Sequence, residues 1–227
     1  MSVANPSAVI WDVDGTLVDT AELHFQAWSA LCRDLKQPFV RADFTATFGL
    51  RNPEIIRQLF GTQYSDAEIA DLGRRKEELY RAAARQGVQL LPGVRSLLEG
   101  LHAAEFRQAV GSSAPRENLD LILRLTDTQR FFDAVVSQED TERGKPDPQV
   151  FLVAAGKVSV TPARCVVMED AVAGVQAAKA GGMKCVAVRI VGHHPEARLR
   201  DAGADLVVDS LEKVTVQTVA QLVQGGA

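Results

Sequence analysis

Asp12 and Asp14 stand two residues apart at the end of the apolar run Val9-Ile10-Trp11, and Gly15-Thr16 follow at once. In extended backbone, residues i and i+2 point to one side, so the two carboxylates begin on a common face before glycine lets the chain turn. An EF-hand calcium loop also opens Asp-x-Asp, but it needs glycine sixth and glutamate twelfth, where this chain has Leu17 and Leu23. That reading fails. Two remain: a strand end carrying solvated or capping aspartates, and a nucleophilic carboxylate beside an acid/base carboxylate, both near a cation. The second requires partners from further along the chain.

The chain contains them. A carboxylate that attacks a phosphate meets charge repulsion, so it needs cations and oriented donors around the transferring group. Lys145 lies between glycine and proline in Gly144-Lys145-Pro146-Asp147-Pro148, and its ammonium is a point charge suited to phosphate. Ser112 and Ser113 follow a short apolar run and can donate hydroxyl hydrogen bonds to phosphoryl oxygens. Glu169-Asp170, after the run 165–168, can complete an oxygen-rich magnesium site with Asp12 and the backbone carbonyl of Asp14. Taken singly, each has a plainer reading as a solvated loop lysine, a strand-end cap or a helix N-terminal charge pair. Their common place at strand ends is what joins them.

Those strand ends come from the pattern of the chain. Leu23, Ala27, Trp28, Leu31 and Leu35 recur at helical spacing over 21–35, with Thr20 as N-cap and Pro38 as stop. Residues 43–86 continue as helical segments, broken near Gly49, Asn52-Pro53 and Gly61, with an N-cap at Ser65. Leu90-Leu91-Pro92-Gly93 marks a boundary, after which short strands alternate with helices. The strands are 107–113, 134–136, 165–170, 184–188 and 205–208; the helices are 94–104, 116–125, 148–157, 174–180 and 195–202. This alternation specifies an α/β fold with a doubly wound, Rossmann-like parallel sheet. Such sheets bind ligands beyond the carboxyl ends of their strands, where Asp12, Ser112, the 137–145 loop and Asp170 converge. The expected division is a core of 1–18 and 91–227 and a small all-helical cap of 19–90, inserted after the first strand and closing as a lid. The tail from Gln224 is expected to be disordered.

A chain of 227 residues with 46% hydrophobic and 24% charged residues can bury a substantial core. A net charge of −4 with no long basic run excludes a nucleic-acid backbone as the expected partner. The first seven residues lack the features of a signal peptide, and no apolar run approaches ~18 residues, so a cytoplasmic, soluble protein is expected, without membrane contact. Cys32, Cys165 and Cys185 have no metal-ligand spacing and read as buried reduced thiols. His193 and His194 read as part of a hydrophilic turn, not as ligands.

Four blocks together resemble the haloacid dehalogenase-like superfamily: 12–16, Ser112 after its strand, Lys145 in its Gly-Lys-Pro-Asp-Pro setting, and Glu169-Asp170 followed by Ala173-Gly174. The resemblance implies that Asp12 is the nucleophile, forming an aspartyl-phosphate, and that Asp14 is general acid and then base. It implies that Ser112 and Lys145 bind the phosphoryl group, while Asp12, Asp14 and Asp170 hold Mg2+ with Glu169 in support. The superfamily's dehalogenases lack the second aspartate, and a departing halide needs no proton whereas an ester oxygen does, so Asp14 favours phosphoryl transfer.

Residues 20–28 are similar to the cap hinge of the β-phosphoglucomutase subgroup, and Lys76 falls where that mutase carries a substrate-facing lysine. Thr16, His24, Arg51, Lys76 and Ser113 are accordingly expected to contact substrate. The cap loop departs from the mutase pattern: Arg51 comes one place early, and Asn52-Pro53 replaces arginine and an acidic residue. Arginine's fork positions a second phosphate, so the expected activity is a phosphatase acting on a small phosphorylated metabolite, of which a sugar phosphate is the expected class. The alternatives are a β-phosphoglucomutase and, from a different class, a catalytically silent relative that binds a phosphorylated ligand or a protein partner. A monomer or weak homo-oligomer is expected.

Overall fold

Apolar segments of three to five residues form one six-stranded parallel sheet in the computed structural model, which describes residues 6–190 and 194–225. The strands are β1 (Ala8–Trp11), β2 (Arg107–Gly111), β3 (Ala134–Val136), β4 (Cys165–Glu169), β5 (Lys184–Val188) and β6 (Leu206–Val208), in the order β3-β2-β1-β4-β5-β6. β1 therefore lies between β2 and β4, with Trp11 level with Val110 on one side and Met168 on the other. The strand order reverses here, and the crevice beyond β1 is the place such sheets reserve for ligands.

Alternation along each strand divides the core into two layers. Val9, Trp11, Val110, Val166 and Met168 face one apolar layer, under α5 (Val94–Ala103), α6 (Arg116–Leu125) and α10 (Val216–Gln224). Ile10, Ala109, Val167 and Cys185 face the other, under α7 (Gln149–Lys157), α8 (Val172–Ala180) and α9 (Glu196–Asp201). β1 is buried at every position. Removing water from both faces stabilises the strand that carries the carboxylate pair by about 25 cal/mol per Å² of apolar surface covered.

Between β1 and α5 the chain forms α1 (Ala21–Asp34), α2 (Arg41–Thr47), α3 (Asn52–Phe60) and α4 (Asp66–Ala84). These four helices have an apolar cluster of their own, with Trp28, Leu31, Phe44, Ile56 and Leu72 at its centre. Two chain crossings join them to the sheet: Val18 bridges antiparallel to Leu90, and the Leu91 N–H donates to the Leu17 carbonyl at 2.9 Å.

Several local expectations change. The Thr20 side chain does not cap α1; its hydroxyl is spent on Asp14 instead. Asn52-Pro53 opens α3 rather than breaking a helix, because proline in the first turn gives up an N–H that has no helical partner. Ser65 caps α4, with Glu68 returning a hydrogen bond to its backbone. The amphipathic α10 extends through Gln224, so the tail expected to be disordered is helical to that residue; 226–227 lie outside the described residues, as do 1–5 and His193. The three cysteines are free and buried. Among the described residues, no helix is long and apolar enough to cross a membrane.

Candidate active site

Asp12 is the first residue beyond β1, and its N–H still belongs to the sheet, donating to the Met168 carbonyl at 3.0 Å. Its carboxylate accepts from Lys145 Nζ at 2.7 Å, and the same ammonium reaches Glu169 Oε1 at 2.6 Å. Both lysine contacts are almost fully buried. Burial pushes the Asp12 carboxyl up and Lys145 pulls it down, with Glu169 and Asp14 adding repulsion; the outcome is about 7, against an ordinary 3.8. Burial works against the Lys145 charge, but its two carboxylates outweigh it and raise the ammonium above its usual range.

Gly15 then turns the chain at φ +85°, a conformation that favours glycine, and a Cβ there would overlap the Asp170 carboxylate. Asp170 is thereby packed against the loop that carries Asp14. Its carboxyl is held well above the usual range by burial first, then by Glu169 and Asp12. Glu169 uses both oxygens: Oε1 faces Lys145, and Oε2 accepts from the Asp170 and Ala171 N–H groups, each at 2.6 Å, ahead of α8. A side chain at Gly174 would overlap this carboxylate. Glu169, expected as a supporting metal-site carboxylate, therefore acts by fixing Lys145 and the Asp170 loop rather than by offering a free oxygen.

Asp14 is held from the cap side. Its Oδ1 accepts from the Thr20 hydroxyl, from His24 Nε2 at 3.1 Å and from the Tyr80 hydroxyl at 3.3 Å. His24 stacks on Tyr80 with ring centroids 4.0 Å apart. Lys76 Nζ lies 2.8 Å from His24 Nδ1; an ammonium cannot accept, so Nδ1 accepts and the ring proton that faces Asp14 is on Nε2. Burial alone would raise the Asp14 carboxyl, but His24, Thr20 and the Lys76 charge take it down to about 2.

Lys76 and Glu77 are buried on the inner face of α4, the reverse of a solvated helix face. Lys76 Nζ donates to Glu77 Oε1 at 2.8 Å; the Asn52 amide donates to the same oxygen at 2.8 Å, and the Asn118 amide to Oε2 at 2.6 Å. Burial pushes the Glu77 carboxyl up, Lys76 and His24 more than offset it, and the group falls from 4.5 to about 2. A depressed acid stabilises the fold above its unfolded pKa and loses that contribution as pH falls through the folded one. Glu77→Gln is therefore expected to cost about 3 kcal/mol at pH 7, with the gap to wild type closing between pH 4.5 and about 2. Urea unfolding of both proteins at pH 7 and pH 3 measures it; an equal gap at the two values would remove the assignment.

The described cleft brings together Asp12, Asp14, His24, Lys76, Ser112, Ser113, Lys145, Glu169 and Asp170. Two expected contacts fall elsewhere. Thr16 is fully buried, turned inward as its N–H bonds back to the Val13 carbonyl, and it does not line the cleft. Arg51, expected on substrate, instead grips the core: its fork donates to the Thr141 and Glu142 carbonyls at 3.2 Å each, to the Arg143 carbonyl at 2.9 Å and to the Thr141 hydroxyl. As the N-cap of α3, with its own N–H bound by Glu54, it faces away from the cleft and toward the loop that leads to Lys145. Sequence reasoning missed Tyr80, Glu77, Asn52 and Asn118. Polar residues on the buried 3–4 repeat Ile69, Leu72, Gly73, Lys76, Glu77, Tyr80, Ala84 were the available signal for the first two.

The donor set fits a small hard cation. Four carboxylates share one buried corner with a single ammonium, that of Lys145, a surplus of negative oxygen donors that an oxygen-seeking dication would relieve. Among the described residues, no three His, Cys, Asp or Glu side chains form a ready cage. Magnesium needs none: it binds through one or two carboxylates and retains water.

Residues 9–188 match the haloacid dehalogenase-like hydrolase family. The chain is 36% identical over 217 residues to the β-phosphoglucomutase of Bacillus subtilis, covering 92% of each. It is 31% identical to the fructose-1-phosphate phosphatase of Escherichia coli, covering 82% of this chain and 97% of that one. The fold superposes on a β-phosphoglucomutase structure from Clostridium difficile with a TM-score of 0.87 at 24% identity, over 97% of this chain and 98% of the other.

Proposed function

The chain belongs to the haloacid dehalogenase-like hydrolase family and is an enzyme, and from that premise we propose that it is a magnesium-dependent phosphatase of small phosphorylated metabolites, with sugar phosphates as substrate class. The observation that carries this reading is the Asp12–Lys145 pair at the end of the central strand, facing the second carboxylate across one cleft.

Asp12 attacks phosphorus; the new bond joins its Oδ to phosphorus while the ester P–O bond breaks. Lys145, already bound to Asp12, holds the nucleophile and opposes the phosphoryl charge, and Ser112, which lines the same cleft, donates to a phosphoryl oxygen. Asp14 delivers the proton to the departing alkoxide. The resting carboxyl, at about 2, is ionised; a dianion entering beside it raises it, and Asp14 takes up from solvent the proton that it then delivers. Water then attacks phosphorus, Asp14 takes its proton, and Asp12 is released with inorganic phosphate. When bound, Mg2+, held by Asp12, Asp170 and the Asp14 carbonyl, supplies charge neutralisation for the transferring group. The cavity is only about 70 Å³, room for roughly five waters, so a sugar enters when the cap swings away from the core.

A mutase is the second reading, favoured by the Bacillus subtilis relative and by the His24–Lys76 arrangement. Against it, Arg51 is turned to the core and Asn52 occupies the adjoining cleft position. β-Glucose 1-phosphate with a trace of the 1,6-bisphosphate, with and without Mg2+, separates the two. Phosphate release that outpaces glucose 6-phosphate formation and vanishes without the metal is the expected result. The reverse order overturns the phosphatase reading, and metal-independent turnover overturns the metal site.

A further inference from the structure

We propose that the cap wall of the cleft selects monophosphate esters of neutral leaving groups, and that Glu77 is the residue that rejects substrates carrying a second phosphate. The inference rests on the phosphatase reading and adds a substrate class to it.

Opposite the phosphoryl corner, the cleft is lined by Trp28, Phe44, Phe48 and Ile55, an apolar and largely aromatic wall fit for the C–H face of a sugar or short polyol. The cationic side chains that line the cleft are Lys145 and Lys76. Lys145 is taken up by Asp12 and Glu169. Lys76 is spent within the cap: Glu77 Oε1 and His24 Nδ1 each lie 2.8 Å from its Nζ, and its side chain is 3% exposed. Arg51, one residue from the cleft-lining Asn52, has its fork on the 141–143 carbonyls.

The cap side therefore presents a neutral pair, one lysine with one glutamate. Glu77 cannot swing away to release Lys76, because Asn52 from α3 and Asn118 from α6 also hold its two oxygens. A second phosphate set against this wall would find no uncommitted cation, because Glu77 keeps the Lys76 charge compensated. In a water-poor cleft, a dianion left without a partner is strongly disfavoured. A neutral leaving group needs no such cation and gains the aromatic wall.

The test compares fructose 1-phosphate with fructose 1,6-bisphosphate, using the full chain with Mg2+, by kcat/KM for phosphate release and by calorimetric binding of each ligand. Wild type is expected to favour the monophosphate by about a hundredfold, the scale of leaving a buried charged group without a partner. Glu77→Gln, which leaves Lys76 uncompensated, is expected to shift that ratio at least tenfold toward the bisphosphate. Leu50→Lys, which adds a cation to the same wall, is expected to shift it the same way and serves if the first variant folds poorly. Comparable wild-type selection of both ligands, or an unchanged ratio in both variants, overturns the proposal. No turnover of either ester, together with tighter binding of the monophosphate, would instead overturn the phosphatase reading while supporting the selectivity.

Discussion

Asp12→Asn is expected to lower phosphate release by 10⁴-fold or more while leaving the protein folded. The amide keeps the shape of the carboxylate and an oxygen for Lys145, but it is not a nucleophile, and a covalent mechanism without its nucleophile loses on the order of 10⁴ to 10⁶ in rate. Stability should not fall with it. Asp12 is raised to about 7 by burial, against the opposing pull of Lys145, so in the folded state its ionised form is disfavoured. For an acid with a raised folded pKa, ionisation costs stability as pH climbs from the unfolded value toward the folded one. Removing the charge lifts that cost at pH 7. Phosphate release and thermal unfolding on the same preparation decide the matter; activity within tenfold of wild type would take Asp12 out of the mechanism.

Lys145→Ala is expected to be as inactive and, unlike Asp12→Asn, markedly unstable. The ammonium bridges Asp12 and Glu169 in a corner that also contains Asp170, and without it these carboxylates face one another away from water. Removing one partner of a buried ion pair costs about 3–5 kcal/mol. The cost belongs to the stranded charges, so adding Asp12→Asn to Lys145→Ala should return part of it. A double-mutant cycle by urea unfolding, with divalent cations chelated, reads the coupling. Additive losses would mean that the lysine stabilises through packing against Phe151, over whose ring it lies at 4.8 Å, and not through Asp12.

What the sequence made legible follows from the range of the forces involved. The strands were readable because burial on both faces demands continuous apolar runs, and β1, β4 and β5 have them. The core carboxylates and Lys145 were readable because a parallel sheet delivers its strand ends to one edge, whatever the packing between them. The cap was harder. Arg51 was identified by type, but its direction depends on Glu54 capping α3 and on a loop ninety residues away. Glu77 carries no motif, and its meaning comes from Asn52 and Asn118 meeting it from two other helices. Thr16 follows a glycine whose φ of +85° rotates everything after it, and residue type alone does not reveal that the hydroxyl ends up inside. Contacts set by two or more elements arriving together leave at most the burial period of each element, and not the partner it meets.

Because β1 is bonded to β2 on one side and β4 on the other, with apolar layers on both faces, its amides reach solvent only when the whole sheet comes apart. The cap helices are tied to the core by two chain crossings, a set of polar contacts and a small apolar contact through Ala27, Tyr80 and Ala84, so they open locally at lower cost than the sheet. Asp12, the proposed nucleophile, thus rides on the part of the molecule expected to exchange last, and the residues proposed to select the leaving group ride on a part expected to open earlier. Rising temperature or denaturant would erode discrimination between substrates before it touched reactivity toward phosphorus.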